Sequence, residues 1–143
     1  MPDFKNWDPG QLAINFKGVD IQGFAEGTMV QVARDEDTFT KVTGAQGDTT
    51  RTRSRNKGGK VTITLLQASP TNGKLSTFQK NDERLGTGVG PLLVKDLNGL
   101  TLYSARNAWL TKPADAEFAK DPTQRVWVFD CAELQMFTDG AVS

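Results

Sequence analysis

The sequence contains no histidine and a single cysteine, Cys131. Histidine is the commonest general base, proton shuttle and metal ligand, so a catalytic triad built on histidine is impossible in this chain. Zinc and iron–sulfur sites also lack a plausible set of ligands. One cysteine cannot form a disulfide within the chain, which excludes a small secreted scaffold held by such bridges. The composition therefore predicts a protein without catalysis, metal or cofactor.

Long apolar runs are absent as well. No run approaches the roughly 18 residues of a membrane-spanning helix, and the N-terminus lacks the basic and then apolar pattern of a signal peptide. We therefore expect a soluble protein that is made in a cytoplasm and does not contact a membrane. The 143 residues fit a single domain, residues 1–143, which is long enough to bury a core.

Three short motifs could have a role in catalysis or ligand binding, but a structural role is the better interpretation of each. Cys131 shares the parity of Phe129 in an apolar run, so we expect a small buried residue and not a nucleophile. The glycines of Gly86–Gly90 resemble a phosphate loop, but Pro91 follows them instead of a Lys-Ser/Thr pair. The carboxylates of Asp35–Asp37 lie between two predicted strands, and we expect water to solvate them.

Short runs of alternating apolar and polar residues predict half-buried antiparallel strands. They lie at Leu12–Phe16, Val30–Val32 and Val61–Leu65. A further run, Arg125–Leu134, is apolar on both parities, which predicts a central strand that is covered on both faces. Asn98 and Gly99 separate two more apolar runs and predict a tight two-residue hairpin, because both central residues of a type I′ turn need positive φ.

The segment Ser69–Leu85 breaks this rhythm and predicts one short helix. Ser69 is a suitable N-cap and Pro70 a suitable first helical residue. Apolar residues then recur on roughly one helical face at Leu75, Phe78 and Leu85. A second helical turn would fit at Ala114–Lys120, which could equally be an ordered loop. The elements together predict a mainly β fold: an antiparallel β-sandwich or barrel with one flanking α-helix and a long extended basic loop.

A concentrated group of positive charges stands out in a chain whose formal net charge is zero. The ten residues 51–60 carry five cations and no acid, leaving 12 basic against 17 acidic side chains elsewhere. If this segment is extended, its three arginines point to one side and form a ladder of like charge that needs counter-charge. Nucleic-acid phosphates or an acidic protein surface would supply it, and water alone would solvate a mobile tip. The five cations are Arg51, Arg53, Arg55, Lys57 and Lys60.

The surroundings of the ladder favour a protein partner. No aromatic residue lies between Phe39 and Phe78, whereas proteins that bind single-stranded nucleic acid usually stack bases on exposed aromatic rings. A second copy of the same chain, with its acidic excess, would fit the ladder, and a nucleic-acid-binding β-barrel remains the alternative. Among the tryptophans, Trp7 is the best candidate for contact with another chain, Trp109 suits an interface or the core, and Trp127 suits the core.

Four segments occur in a characteristic order between about Gly18 and Phe129. They are "GAQGDTTRTRS", "GGKVTITLLQASPTNGKLSTFQKND", "GPLLVKDLNGLTLYSARNAWLTKPADAEFAKD" and "RVWVF". No single motif within them is decisive, but their order and spacing together resemble a family of bacteriophage structural proteins that form the tail tube of contractile-tailed phages. The stretch "ASPTN" in place of a double serine is a mild departure from the family pattern.

The resemblance implies a structural subunit without catalysis. Such subunits would assemble into stacked hexameric rings whose inner strands line a channel for DNA delivery. The expected partners are further copies of the chain, the tail sheath, baseplate, tape-measure and tail-terminator proteins, and genomic DNA that passes through the lumen without specific binding. The expected location is the virion, after assembly in the cytoplasm of the bacterial host. Inner tubes of contractile bacteriocins and type VI secretion systems share this architecture and remain alternatives.

Within such a tube, the segment Gly44–Gly59 is expected to be a loop that stacks rings or clasps subunits. Its arginines would meet acidic residues of an adjacent copy in charge-assisted hydrogen bonds. Arginines in the lumen would bind phosphates at every ring, so we expect the ladder to lie elsewhere and the channel wall to be polar or acidic. The complete set of predicted interface residues is Trp7, Arg51, Arg53, Arg55, Lys57 and Lys60.

Overall fold

The computed structural model describes residues 11–27 and 29–139. These residues contain ten β-strands and one α-helix. Every strand pair is antiparallel. In chain order the elements are β1 Leu12–Phe16, β2 Val19–Asp20, β3 Val30–Arg34, β4 Phe39–Thr43, β5 Thr49–Arg53, β6 Gly59–Leu66, α1 Thr71–Leu85, β7 Gly90–Asp96, β8 Leu102–Leu110, β9 Gln124–Cys131 and β10 Leu134–Phe137.

Eight strands form one sheet in the order β2-β1-β7-β8-β9-β6-β3, with β10 beside β8. The segment 21–25 connects the two ends of this sheet. The Ile21 N–H donates to the Ile14 carbonyl of β1 at 2.9 Å, and the Leu66 N–H of β6 donates to the Gly23 carbonyl at 2.8 Å. The sheet therefore closes on itself in the manner of a barrel, and the predicted mainly β, antiparallel class with one helix is confirmed.

The core lies between the inner face of the sheet and α1. Phe16 of β1 is fully buried, and its ring contacts Phe129 of β9 (centroids 4.8 Å apart) and Phe78 of α1 (5.4 Å, perpendicular). Trp127 is buried as predicted, and its Nε1–H donates to Oδ1 of Asn72 at 2.9 Å, which ties β9 to the helix. Further buried apolar residues alternate along the strands: Ile14, Val61, Ile63, Leu65, Leu92, Val94 and Leu134.

Helix α1 begins at Thr71. Pro70 precedes it in a right-handed helical conformation (φ −65°, ψ −19°). The Ser69 hydroxyl accepts from the Thr71 N–H at 3.3 Å and donates to the Gln22 carbonyl at 2.6 Å, so it holds the start of the helix against the segment that closes the sheet. Among the described residues, no helix combines the length and apolar character needed to cross a bilayer.

Three local expectations differ from the structure. Leu85, expected on the buried face of the helix, lies in its last turn and is 66% exposed. The β7–β8 hairpin has the five-residue connection Leu97–Thr101 instead of a two-residue turn. Its shape follows from Asp96, whose carboxylate accepts from the Asn98 N–H at 3.0 Å and from the Asn98 side-chain amide at 2.8 Å in an Asx-type turn. The stretch Ala114–Lys120 is irregular and contains no helical turn.

Strand β9 is central, between β8 and β6, as the run Arg125–Leu134 predicts. Its inner residues are buried, but its outer face is not covered by any residue that the structure describes, since Val126 is 45% exposed. The expectation of cover on both faces was therefore wrong for the single subunit. The neighbouring outer positions are polar on β6, at Thr62 and Thr64, and aromatic on β8, where Trp109 is in register with Asp130.

Cys131 lies at the end of β9 and is 3% exposed. Burial raises the pKa of its thiol from the ordinary 9.0 to about 11, and the negative charges of Asp130 and Asp35 act in the same direction. A rise of two pH units lowers the thiolate fraction about 100-fold at pH 8. We expect iodoacetamide to label Cys131 at least about 100-fold more slowly in the folded chain than in the chain unfolded in urea. Mass spectrometry over a time course measures both rates, and equal rates would contradict the burial of this thiol.

Candidate assembly surface

Strands β4 and β5 form a separate two-stranded hairpin outside the main sheet. Phe39–Thr43 pairs with Thr49–Arg53, the turn lies at residues 44–48, and every strand residue is exposed. The sequence predicted a loop over the whole of Gly44–Gly59. The structure corrects this expectation, because threonines alternate with the arginines of this stretch and favour a strand, and Phe39–Thr43 provides its partner.

The register of the hairpin gives its two faces different chemistry. Arg51 is opposite Lys41 and Arg53 is opposite Phe39, so these four side chains share one face, here called the cationic face. The predicted ladder is therefore present at Arg51 and Arg53, whereas Arg55 follows the end of the strand and lies in the connection to β6. The opposite face, here called the neutral face, carries Thr40, Val42, Thr50 and Thr52.

The three arginines have no acidic partner among the residues that the structure describes. Arg51, Arg53 and Arg55 form no salt bridge with any residue in the described ranges. The Arg51 guanidinium lies over the Phe39 ring, 4.1 Å from its centroid. This cation–π contact orients the guanidinium and leaves its N–H groups free to donate to carboxylates or phosphates. Sequence reasoning missed this contact, since it depends on the β4–β5 register.

Arg34, the last residue of β3, anchors the base of the hairpin. Its Nε and Nη2 donate to the Leu134 carbonyl at 3.2 and 2.9 Å, and its Nη1 donates to the Thr38 hydroxyl at 3.2 Å. The Ser54 N–H donates to the Thr38 carbonyl at 2.7 Å and continues the hairpin pairing toward the body. These bonds connect the hairpin to β10, so the cationic face has a defined orientation relative to the sheet.

The two lysines of the basic group already have partners. Nζ of Lys60 lies 2.9 Å from Oδ1 of Asp130, and the hydrogen bond and charge of that carboxylate raise the pKa of Lys60 above its ordinary value. Nζ of Lys57 lies 3.8 Å from Oε1 of Glu133. Both pairs are largely exposed and contribute little to stability. Lys57 and Lys60 stay predicted interface residues, but the subunit itself balances their charges.

Two open hollows flank the root of the hairpin. The one beside the cationic face has a volume of about 590 Å³ and is lined by Arg53, Arg55, Lys57, Ala132 and Glu133. The other, of about 540 Å³, lies beside the neutral face, where the exposed acidic loop Asp35–Asp37 adjoins Thr40, Thr52 and Ser54. The Ser54 hydroxyl donates a hydrogen bond to Glu36, which holds this loop against the hairpin. The hairpin thus has a positive side and a negative side.

The predicted interface tryptophan, Trp7, lies outside the described residues. Trp109 is half-buried on the outer face of the sheet, in register with Asp130 of β9, which in turn is in register with Lys60 of β6. Trp109 is thus neither fully in the core nor fully exposed. None of the interface assignments made from the sequence is tested by the isolated subunit, and they stay predictions.

A family model described as the bacteriophage PhiTE tail tube protein matches residues 13–138. The chain belongs to this family. The predicted resemblance to phage tail tube proteins is therefore confirmed. The structural protein ORF10 of Pseudomonas phage KPP10 is 32% identical over 110 residues, which cover 76% of this chain and 64% of that relative. The tail tube subunit thus spans less than two thirds of the relative's length.

Solved structures of contractile injection systems share the fold of this tail tube subunit. The PVC sheath/tube terminator in the extended state has a TM-score of 0.65 at 11% identity, covering 93% of this chain and 97% of that chain. The tube-terminating cap of the anti-feeding prophage has a TM-score of 0.62 at 7% identity (97% and 95% covered), and the PVC sheath–tube complex a TM-score of 0.62 at 10% identity (94% and 93%). At such low identities the likeness establishes the fold alone.

Proposed function

We propose that this tail tube subunit assembles with copies of itself into stacked hexameric rings that form the channel for DNA delivery. The observation that carries the proposal is a group of three exposed arginines, Arg51 and Arg53 on the hairpin and Arg55 just after it, with no carboxylate partner in the described part of their own subunit. Arginine binds carboxylates in charge-assisted, often bidentate, hydrogen bonds that fix register as well as adding affinity. A second copy, with its acidic excess outside residues 51–60, supplies those carboxylates.

The strand edges of the subunit support self-assembly. Among the described strands, β3 pairs only with β6, so one of its edges is unpaired. The outer edge of β10 is partly occupied, because the Leu134 N–H donates to the Lys57 carbonyl at 2.8 Å and the Leu134 carbonyl accepts from Arg34. An unpaired edge presents a row of N–H and C=O groups that pair readily with another chain. A closed ring turns such edges into interfaces and leaves none free within its plane. The proposal therefore joins neighbouring subunits through their sheets.

The part of the outer sheet face on β6 and β9 is polar and balanced in charge, which suits a DNA channel, although Leu66 and Phe137 expose apolar side chains on the same face. Thr62 and Thr64 of β6 are in register with Val128 and Val126 of β9, and Lys60 is balanced by Asp130. A wall of unpaired arginines would bind DNA phosphates at each ring, because the release of counterions favours every such contact. The proposal therefore orients the outer sheet face toward the lumen and the cationic face of the hairpin toward another subunit.

The proposal includes no catalytic step. Its partners are the tail sheath, baseplate, tape-measure and tail-terminator proteins, and its location is the phage tail after assembly in the host cytoplasm. Solved neighbours described as a sheath–tube complex and a sheath/tube terminator support partners of this kind. Membership in a phage tail tube family favours a phage tail over a bacteriocin or a type VI secretion tube.

Electron microscopy of the purified chain tests the proposal. We expect negative-stain images to contain rings or tubes and sedimentation to detect species of at least six copies. The association should weaken as salt increases, because charged contacts between exposed groups are screened. A strictly monomeric chain at high concentration, over a range of salt and pH, would contradict self-assembly.

A nucleic-acid-binding module remains the second candidate, and one observation favours it. The cationic face of a two-stranded ribbon, with Phe39 beside Arg51 and Arg53, combines charge with an aromatic ring. This function predicts a monomer or dimer whose retention of DNA on a filter falls steeply with salt. The same filter assay on tubes should detect no retention beyond that of a neutral control protein if the tube proposal is right.

A further inference from the structure

The hairpin is a two-sided ribbon whose sides carry opposite charge. The cationic face presents Lys41, Arg51 and Arg53, and Arg55 continues this positive side into the β5–β6 connection. The acidic loop Asp35–Asp37 borders the neutral face at the other side of the same ribbon. Within the described residues, none of the three arginines pairs with this loop or with any other carboxylate of its own subunit. The subunit thus holds two complementary surfaces that do not neutralise each other.

Opposite placement of two complementary surfaces determines how copies associate. When two different patches of the same chain bind each other, the interface is heterologous, and each copy keeps one patch free for the next copy. Such head-to-tail association propagates until it closes into a ring or continues as a helical polymer. A pairing of the cationic face with itself would instead oppose arginine to arginine, which charge repulsion disfavours.

Both surfaces already hold some of their charged side chains in position within the subunit. Arg51 is held over Phe39, so the loss of side-chain freedom on binding is reduced. Glu36 is held by Ser54, whereas Asp35 and Asp37 have no side-chain hydrogen bond or salt bridge with the described residues. The charge of Asp35 acts on Lys60 at a distance, and Asp37 has no such interaction among these residues. The hydrogen bonds of Arg34 fix the ribbon relative to β10, so both surfaces keep one orientation relative to the body.

We infer that the cationic face of one copy docks onto the acidic loop Asp35–Asp37 of an adjacent copy, in a head-to-tail contact between hairpins. This inference rests on the proposed function and specifies the partner surface within it. The occupant of the hollow beside the neutral face is thus the Arg51–Arg53 side of the next subunit. A second copy of this chain offers a complementary charge to both surfaces. A phosphate-bearing partner would match the cationic face only, because the acidic loop would repel its phosphates.

Two charge-reversed variants and their mixture test the contact. Arg51→Glu with Arg53→Glu places two carboxylates beside Lys41 and Arg55, so neither side of the ribbon keeps a positive excess, and Asp35→Lys with Asp37→Lys leaves both sides basic. We expect each variant alone to self-associate at least tenfold more weakly than the parent chain in sedimentation at matched salt. An equimolar mixture should restore assembly, because acidic and basic ribbons then alternate, and native mass spectrometry should show equal numbers of the two variants in each assembly.

Controls separate this contact from general effects of charge. Lys74→Glu with Lys80→Glu makes the same change in net charge as Arg51→Glu with Arg53→Glu, but on the exposed side of α1, and should assemble like the parent chain. The four substituted hairpin positions are exposed and outside the core, and circular dichroism with thermal melting verifies the fold of each variant. The neutral pair Arg51→Gln with Arg53→Gln gives a second, milder disruption that does not introduce new charges.

The possible results of these experiments test the hairpin contact separately from the assembly of the tube. Suppose that the parent chain forms rings. If either charge-reversed variant then assembles normally by itself, or if the two folded variants fail to assemble as a mixture, the head-to-tail contact is overturned and the tube proposal stands. If the parent chain remains a monomer, the tube proposal itself fails. The parent chain could instead retain DNA without self-association, and the Arg51→Glu, Arg53→Glu variant could lose this retention. That result would identify nucleic acid, and not a second copy, as the partner of the cationic face.

Discussion

Phe16→Ala is expected to lower the free energy of unfolding by about 4 kcal/mol, within the usual range for a buried phenylalanine. Phe16 is fully buried, and its ring contacts Phe129 from the sheet and Phe78 from the helix. Truncation removes both aromatic contacts and leaves a cavity where β1, β9 and α1 meet. A loss of this size shifts the folding equilibrium by roughly a factor of 1,000. Urea denaturation followed by tryptophan fluorescence measures it.

The matched control for Phe16 is another phenylalanine of the same sheet. Phe137 of β10 is 60% exposed and lies on the outer face, in register with Leu102. We expect Phe137→Ala to change the free energy of unfolding by no more than about 0.5 kcal/mol, as is usual for surface positions. Equal losses from the two truncations would mean that the core is not where the structure has it.

Gly59→Ala is expected to lower the free energy of unfolding by about 2 to 3 kcal/mol, the upper part of the range for overpacking. A Cβ at this position would lie 2.5 Å from Cδ2 of Leu134 and 2.6 Å from the Ala33 carbonyl oxygen. The leucine side chain can move, but the carbonyl belongs to the backbone of β3, so the strand itself must shift. Because Arg34 follows Ala33 and anchors the hairpin, assembly should weaken together with stability.

A second glycine provides a control for which we expect the opposite change in stability. Gly73 lies inside α1, and no atom within 4 Å would meet a Cβ there. Alanine is the better helix former by about 0.5 to 1 kcal/mol, so Gly73→Ala should stabilise the chain by that amount. Thermal melting of both variants beside the parent chain measures the two shifts. Destabilisation by Gly73→Ala, or none by Gly59→Ala, would contradict the packing described for these sites.

The sequence was most informative where one side of an element is buried and the other is not. β1, β3 and β6 were predicted because a strand on a closed sheet buries every second residue, and this period is visible without a structure. α1 was predicted from its apolar spacing, with Leu75 buried and Phe78 packed against the core. Leu85 was assigned to the same face, but it is the last residue of the helix, and Gly86 follows it in the left-handed conformation (φ 66°) that ends the helix.

Elements that bury nothing left a weaker signal. Both faces of β4 and β5 are exposed, so no apolar period marks them, and the threonines beside the arginines were the one available indication of a strand. The closure of the sheet through residues 21–25 depends on backbone hydrogen bonds between distant segments, which side-chain patterns do not encode. The five-residue β7–β8 connection was missed because Asp96, before the Asn-Gly pair, determines the turn.

The candidate assembly surface was predicted in composition but not in detail. The five cations stand together in the sequence, and their role at an interface stays a prediction. The distinction between the paired lysines and the arginines without a described partner requires the register of β6 with β9 and the bend that carries Glu133. The same holds for Phe39, which meets Arg51 across the hairpin. Which charges remain available to a partner is therefore a property of strand pairing and not of composition.

The separation of the hairpin from the core has an evolutionary consequence. Because the exposed strands β4 and β5 contribute no side chain to the core, a substitution there would change the proposed contact with a neighbouring copy at little cost in folding stability. Lineages are thus free to change which monomers co-polymerise while they retain the same barrel. Two such proteins expressed in one infected cell would sort into separate polymers once their ribbons no longer match.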